Sequence, residues 1–118
     1  MAQELKKDTQ TLNHTVEKNK NVFLTVIVGN NQYGSSKVYF SNDDSNILIK
    51  GDVENYNLGR GNTLVSKELI VKTTVLDSNE NTNKISISIL LNDMRYDYEN
   101  FVDHNHDAFR LTTKINFL

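Results

Sequence analysis

From Val22 onward, apolar and polar residues alternate with a period of two along most of this chain. Such alternation is typical of β-strands that turn one face toward a core. The alternating segments are separated by stretches rich in Asn, Ser, Asp and Gly, which favour turns. The pattern predicts strands over residues 22–28, 37–40, 47–53, 67–77, 84–92, 94–102 and 109–118. Residues 54–66 are predicted to form a long loop.

The segments 67–77 and 84–92 carry the clearest alternation and predict a hairpin. No amphipathic helix is visible between the strands, and parallel neighbours need crossover connections of about a dozen residues or more. The sequence therefore predicts an all-β fold, an antiparallel sandwich of about seven strands. In strand number and length this architecture resembles immunoglobulin-like and C2-like sandwiches. The cysteine pair and core Trp of true immunoglobulin domains are absent.

Residues 1–21 do not follow the period of two and are predicted to form a polar N-terminal arm, beside a sandwich domain of residues 22–118. The few apolar residues of the arm are spaced so that a helix would place them on one face. They are Met1, Leu5, Leu12 and Val16. Whether the arm is a helix, a strand, a coil or a solvated tail stays open at this point.

Composition narrows the function classes. The chain of 118 residues has no Cys, which excludes disulfides, thiol nucleophiles and thiolate metal sites. Its 13 basic and 15 acidic residues are interspersed, so no basic field for nucleic acid is expected. No apolar signal-peptide core and no apolar run long enough for a membrane span are present, which favours a cytoplasmic location.

The densest cluster of chemically versatile residues lies between the last two predicted strands. Two imidazoles and flanking carboxylates in this loop could ligate Zn²⁺, and aspartates from several loops could ligate Ca²⁺ in the manner of a C2-like site. The cluster residues are Asp103, His104, His106 and Asp107, and the other loop aspartates are Asp43, Asp44, Asp77 and Asp93. An EF-hand is excluded, because Ala108 and Lys114 occupy the positions of its Gly and Glu. The simpler alternative is a solvated polar turn.

Other motifs give no support for catalysis or phosphate binding. Gly59-Arg60-Gly61 lacks the further residues of a nucleotide-binding loop and the context of a strand followed by a helix, and is better explained as a turn. No nucleophile, base and orienting residue can be assembled from the sequence, so an enzyme is not expected.

The predicted outward strand faces carry more apolar residues than a small isolated sandwich should expose. We expect a covering by the arm, by the loop near residues 56–65 or by another subunit. The outward residues are Phe23, Ile27, Tyr39, Leu48, Ile70, Leu76 and Leu90, and the arm would contribute Leu5, Leu12 and Val16.

These features lead to one main hypothesis, a non-enzymatic protein-protein interaction or assembly module without a cofactor. It would act through a sandwich face, a strand edge or the arm, on a protein partner or as a homo-oligomer. The alternative is a ligand-binding sandwich that depends on Ca²⁺ or Zn²⁺ bound by loop aspartates and by His104 and His106.

Overall fold

The computed structural model describes residues 5–30, 32–77, 81–104 and 107–118. This part of the chain forms nine strands and one helical turn. The elements are β1 (Leu5–His14), β2 (Asn21–Val28), β3 (Tyr33–Phe40), β4 (Ile49–Gly51), β5 (Tyr56–Arg60), α1 (Gly61–Leu64), β6 (Glu68–Leu76), β7 (Lys84–Leu91), β8 (Met94–Phe101) and β9 (Ala108–Phe117).

The strands form two packed sheets. The five-stranded sheet has the order β1-β9-β6-β3-β4, and the four-stranded sheet has the order β5-β2-β7-β8. Every pairing is antiparallel except that of β1 with β9, which is parallel. The predicted all-β sandwich, rich in antiparallel pairs, is thereby confirmed.

The number of strands is higher than predicted for two reasons. Residues 5–14 of the arm form β1, an edge strand of the five-stranded sheet, so the arm is not helical there. Residues 56–60, predicted as loop, form β5 against β2. The parallel pairing of β1 and β9 is compatible with the crossover rule, because almost the whole chain lies between these two strands.

The core lies between the sheets. Its residues in β7 and β9 are those that the sequence alternation predicts to point inward. In β9 the buried residues are the odd-numbered ones, from Phe109 to Phe117, and in β7 they include Ile85, Ile87, Ile89 and Leu91. Leu12 and Val16 pack against this core from β1 and from the connection that follows it, and Leu48 does so from the loop before β4. In the part of the chain that the structure describes, no helix is long and apolar enough to cross a membrane.

The connection from β1 to β2 is fastened to α1. The backbone N–H of Gly61 donates to the Lys20 carbonyl at 2.9 Å, and that of Asn62 donates to the Lys18 carbonyl at 3.1 Å. Gly61 lets the two backbones approach, because a Cβ at this position would overlap the backbone carbonyl of Glu17. This contact fixes the path by which the chain leaves β1 and enters the opposite sheet.

Gly61→Ala should therefore lower the free energy of unfolding by about 1–3 kcal/mol, the usual range for overpacking at a site that cannot relax freely. Urea denaturation would measure the loss. The control is Asn62→Ala, which alters an exposed side chain on the same helical turn and should stay within about 0.5 kcal/mol of wild type. Equal stability of Gly61→Ala and wild type would show that this close approach is unimportant.

Candidate functional site

The loop between β8 and β9 is organised as a turn around Asp107. The Asp107 side chain is buried, and its Oδ2 accepts a hydrogen bond from the His104 backbone N–H at 3.2 Å. Its own N–H donates to the His104 carbonyl at 3.2 Å, and its carbonyl accepts from the Asp77 N–H at 3.0 Å. Asp103 and His104 are exposed, and His106 lies outside the described residues. The zinc hypothesis for this loop therefore stays a prediction.

Two of the other loop aspartates, Asp43 and Asp77, serve local structure, whereas Asp44 and Asp93 are exposed. Asp43 accepts hydrogen bonds from Ser45 and Asn46 within its own turn, both at 3.4 Å. Asp77 is fully buried, and its Oδ1 accepts from Gln32 Nε2 at 2.7 Å. Across the described ranges, no three His, Asp or Glu side chains are grouped so that they could hold a metal ion.

A polar seam joins β1 to β8 across one open side of the sandwich. The inward residues of β1 are the ones that contact β8. Lys6 Nζ donates to Asn100 Oδ1 at 3.2 Å and to the Phe101 carbonyl at 2.8 Å. The Tyr98 hydroxyl donates to Asp8 Oδ2 at 2.5 Å. Inward charges of this kind protect an edge strand against pairing with another chain.

The seam shifts two acid–base equilibria in opposite directions. The hydrogen bond from Tyr98, followed by that from the Thr9 backbone, lowers the pKa of Asp8 below its ordinary value of 3.8. Burial, followed by the hydrogen bond to Asp8, raises the pKa of Tyr98 to about 12. The seam therefore favours the ionised carboxylate beside the neutral phenol.

A cavity of about 700 Å³ lies at the opposite end of β1 and β8 from the seam, where β1 ends and β7 turns into β8. His14 lines it and is buried; its Nδ1 lies 2.9 Å from the Tyr96 hydroxyl, and burial lowers its pKa. Phe23 and Val16, both predicted interaction residues, also line this cavity. In the described part of the chain, no carboxylate is hydrogen-bonded to His14, so the arrangement is not that of a general base with an orienting acid.

The outward face of the five-stranded sheet has the most distinctive charge pattern. We call the outward basic side chains of β1, β9, β6, β3 and β4, with the surface between them, the cationic face. Its members are Lys7, Lys37, Lys50, Lys72, Arg110 and Lys114. Among the described strand positions, Glu68 is the carboxylate that shares this outward face. The face thus gathers six of the 13 basic residues of a chain whose net charge is −2.

Three lysines of the cationic face form one row across three adjacent strands. Lys72 lies opposite Lys37, and Lys37 lies opposite Lys50. Like charges that face each other directly on neighbouring strands destabilise a sheet. None of the three forms an ion pair with any residue that the structure describes. An external anion bound at the row would therefore relieve the repulsion between these lysines.

Apolar residues also lie on this face, and two of its lysines lie over one of them. Tyr39 and Ile70 lie opposite each other, yet they are only 9% and 6% exposed. Lys37 Nζ and Lys72 Nζ lie 6.0 Å and 5.8 Å from the centre of the Tyr39 ring. Long lysine stems can bury apolar surface while the ammonium groups stay in water. Two lysine side chains of the same sheet therefore lie over the Tyr39 ring.

A groove of about 290 Å³ lies within the cationic face. It is lined by Ser35, Ser36, Lys37, Lys50, Lys72, Thr74 and Arg110. Arg110 Nε donates a hydrogen bond to Thr74 Oγ1 at 3.1 Å, which orients the guanidinium group along the sheet. The groove thus combines four basic side chains with hydroxyl groups.

The remaining predicted interaction residues do not converge on one surface. Leu5 is 41% exposed at the start of β1, and Phe23 is 39% exposed on the outer side of the four-stranded sheet. Leu48, Leu12 and Val16 contact the core. The sequence analysis missed the cationic face, although each of its members occupies the polar phase of a strand or of the arm.

No family model, no curated protein and no solved structure matches this chain.

The contact between Asp8 and Tyr98 predicts that the free energy of unfolding depends on pH, and Tyr98→Phe should reduce this dependence. The pKa of Tyr98 is raised in the folded state, so its stabilising contribution is complete below about pH 10 and is lost as the pH rises toward 12. The pKa of Asp8 is lowered, so its contribution is present above pH 3.8 and is lost as the pH falls through the lower folded value. Urea unfolding across both windows should show a weaker pH dependence in Tyr98→Phe than in wild type.

The control for this experiment is Tyr33→Phe, which removes a phenol that is 75% exposed and lies on another strand. It should keep the wild-type pH dependence. If both variants showed the same pH dependence of the free energy of unfolding, the contact between Asp8 and Tyr98 would have no role in stability.

The lysine row predicts a stabilising substitution. Lys50→Gln removes one end of the row and should raise the free energy of unfolding by about 0.2–1 kcal/mol at low ionic strength. The gain should vanish near 1 M salt, where the screening length is about 3 Å. Urea unfolding at both salt concentrations measures the effect, with Lys18→Gln as the control for loss of one charge elsewhere. A lower stability of Lys50→Gln at low salt would contradict repulsion within the row.

Proposed function

We propose that this protein is a non-enzymatic protein-protein interaction module whose cationic face binds an acidic surface of a partner protein. The proposal is carried by the row of Lys72, Lys37 and Lys50, which has no carboxylate paired to it within the described residues. A sheet that keeps like charges in direct opposition is less stable than it could be, and such a cost is typical of functional surfaces.

The face is a better candidate than the strand edges or the N-terminal arm. β1 and β8 are long edge strands, but β1 turns Lys6 and Asp8 inward and β8 carries the charged residues 95, 97 and 99 on its outer side. Charges at these positions oppose strand addition. Residues 5–14 of the arm are paired to β9 as strand β1, so this part of the arm is not free to bind elsewhere.

The size and flatness of the face fit a protein partner. With strands about 4.8 Å apart and a rise of about 3.3 Å per residue, the paired region measures roughly 20 Å by 25 Å. This area of about 500 Å² is smaller than the roughly 800 Å² that each partner contributes to a standard interface, and it fits a small, transient interface. The described part of the face is built from strands, with no helix that could enter a nucleic-acid groove, and Tyr39 between its lysines is buried rather than available for base stacking.

The proposal can be tested with a fluorescein-labelled peptide of 20 glutamates as an acidic protein probe. Fluorescence anisotropy should show saturable binding that weakens as salt is added. The double variant Lys37→Gln/Lys72→Gln should weaken binding at least tenfold. The control Lys18→Gln/Lys20→Gln removes the same charge outside the face and should stay within twofold of wild type.

Three results would overturn the proposal. The first is an absence of binding at micromolar protein, and the second is equal loss of affinity in both double variants. The third is tighter binding of a 20-nucleotide single strand or duplex than of the peptide, which would indicate a nucleic-acid partner. Sedimentation at the same protein concentrations shows whether a second copy of the chain occupies the face.

A further inference from the structure

The groove in the cationic face brings basic side chains from four adjacent strands to one place. Lys50, Lys37 and Lys72 come from β4, β3 and β6 and share one row. Arg110 of β9 lies opposite Thr74, which is two residues beyond Lys72 on β6. The four cations therefore border one small concavity from several directions instead of forming a line along a single strand.

The groove also supplies directional hydrogen-bond donors. Arg110 uses Nε for Thr74 Oγ1, so its other guanidinium N–H groups are free of described partners. Thr74 accepts that bond and keeps its own hydroxyl proton, and the Ser35 hydroxyl has no hydrogen bond within the described residues. Ser36 differs, because its hydroxyl is buried against Thr73 Oγ1 at 2.9 Å.

The opposite sheet shows how the same chain neutralises basic residues elsewhere. On the outward face of the four-stranded sheet, Lys84 pairs with Glu99 at 2.6 Å, and Arg95 pairs with Asp97 at 2.7 Å. The lining of the groove contains no carboxylate among the described residues. The contrast between the two faces points to an anion that comes from outside the chain.

A phosphate monoester fits this groove better than a carboxylate does. It carries a charge of about −1.5 to −2 at neutral pH and three strong acceptor oxygens, whereas a carboxylate carries one charge and two oxygens. Four cations and two hydroxyls around one concavity can contact all three oxygens. Recognition of phosphorylated segments by clusters of basic residues is a general mode of peptide binding.

We infer that the groove binds a phosphoserine or phosphothreonine side chain on the acidic partner, an inference that rests on the proposed function. Lys114 and Lys7 lie on the cationic face outside the groove lining. They are placed to contact acidic residues that flank the phosphorylated one.

The test uses three labelled peptides of 12 residues, with glutamates on both sides of a central position that is Ser, phosphoserine or Asp. Fluorescence anisotropy should show at least tenfold tighter binding of the phosphopeptide than of the other two. Lys50→Gln/Arg110→Gln should reduce phosphopeptide affinity to that of the Ser peptide. The control Lys114→Gln should weaken all three peptides by a similar factor.

Two-dimensional NMR of the wild-type protein supplies a readout that does not depend on the folding of any variant. The phosphopeptide should shift the amide signals of Ser35, Lys50 and Thr74 more than the Ser peptide does. Inorganic phosphate at 10 mM should compete with the phosphopeptide and leave binding of the Ser peptide almost unchanged.

The possible failures are distinguishable. Equal affinity for the Ser and phosphoserine peptides, with both lost in Lys37→Gln/Lys72→Gln, would overturn the phosphate site and leave the proposed function standing. Absence of binding for all three peptides would overturn both. Binding of inorganic phosphate in the groove without any gain in peptide affinity would overturn the inference that a partner supplies the phosphate.

Discussion

The pairing of β6 with β3 on one side and β9 on the other is the constraint on which the five-stranded sheet depends. Both pairings are antiparallel and run almost the full length of the strands. Because side chains alternate across a sheet, this register decides both faces at once. It buries Val71 and Val75 of β6 and turns Lys72 outward between them. A register shift of one residue would turn the apolar residues of β6 toward solvent and Lys72 toward the core.

The register of β1 against β9 explains why β1 can be largely polar and still belong to the sandwich. Its parallel pairing with β9 places even-numbered residues inward, at the margin where the two sheets are open to solvent. Lys6 and Asp8 find partners on β8 there, and Leu12 and His14 lie nearer the core. Polar contacts thus replace apolar packing toward the start of the strand. The result is a strand held by its backbone and by the seam, with an edge unsuited to pairing with another chain.

Sequence periodicity predicted the strands that have an apolar phase and failed for the others. β6, β7 and β9 were predicted nearly to their ends, because their inward residues are apolar. β1 was missed because its inward positions are largely polar. β5 was missed because it has only five residues and its alternation stops at Gly59, which has a φ of 109°. The candidate site was missed for a different reason. Its lysines are scattered along the sequence, and only the cross-strand register brings them into one row.

The lysines of the row have two physical roles that constrain each other. Lys37 and Lys72 lie over the ring of the buried Tyr39, which requires side chains that are long and lie along the sheet. Their ammonium groups repel one another, which favours side chains that spread apart. An anion in the groove would remove this conflict, because it attracts the charged ends while the stems remain over the Tyr39 ring. Glutamine keeps two of the four methylene groups of the lysine stem without the charge, whereas alanine would remove nearly the whole stem as well as the charge. Comparison of the two substitutions therefore separates the contribution of the stem to stability from that of the charge to binding.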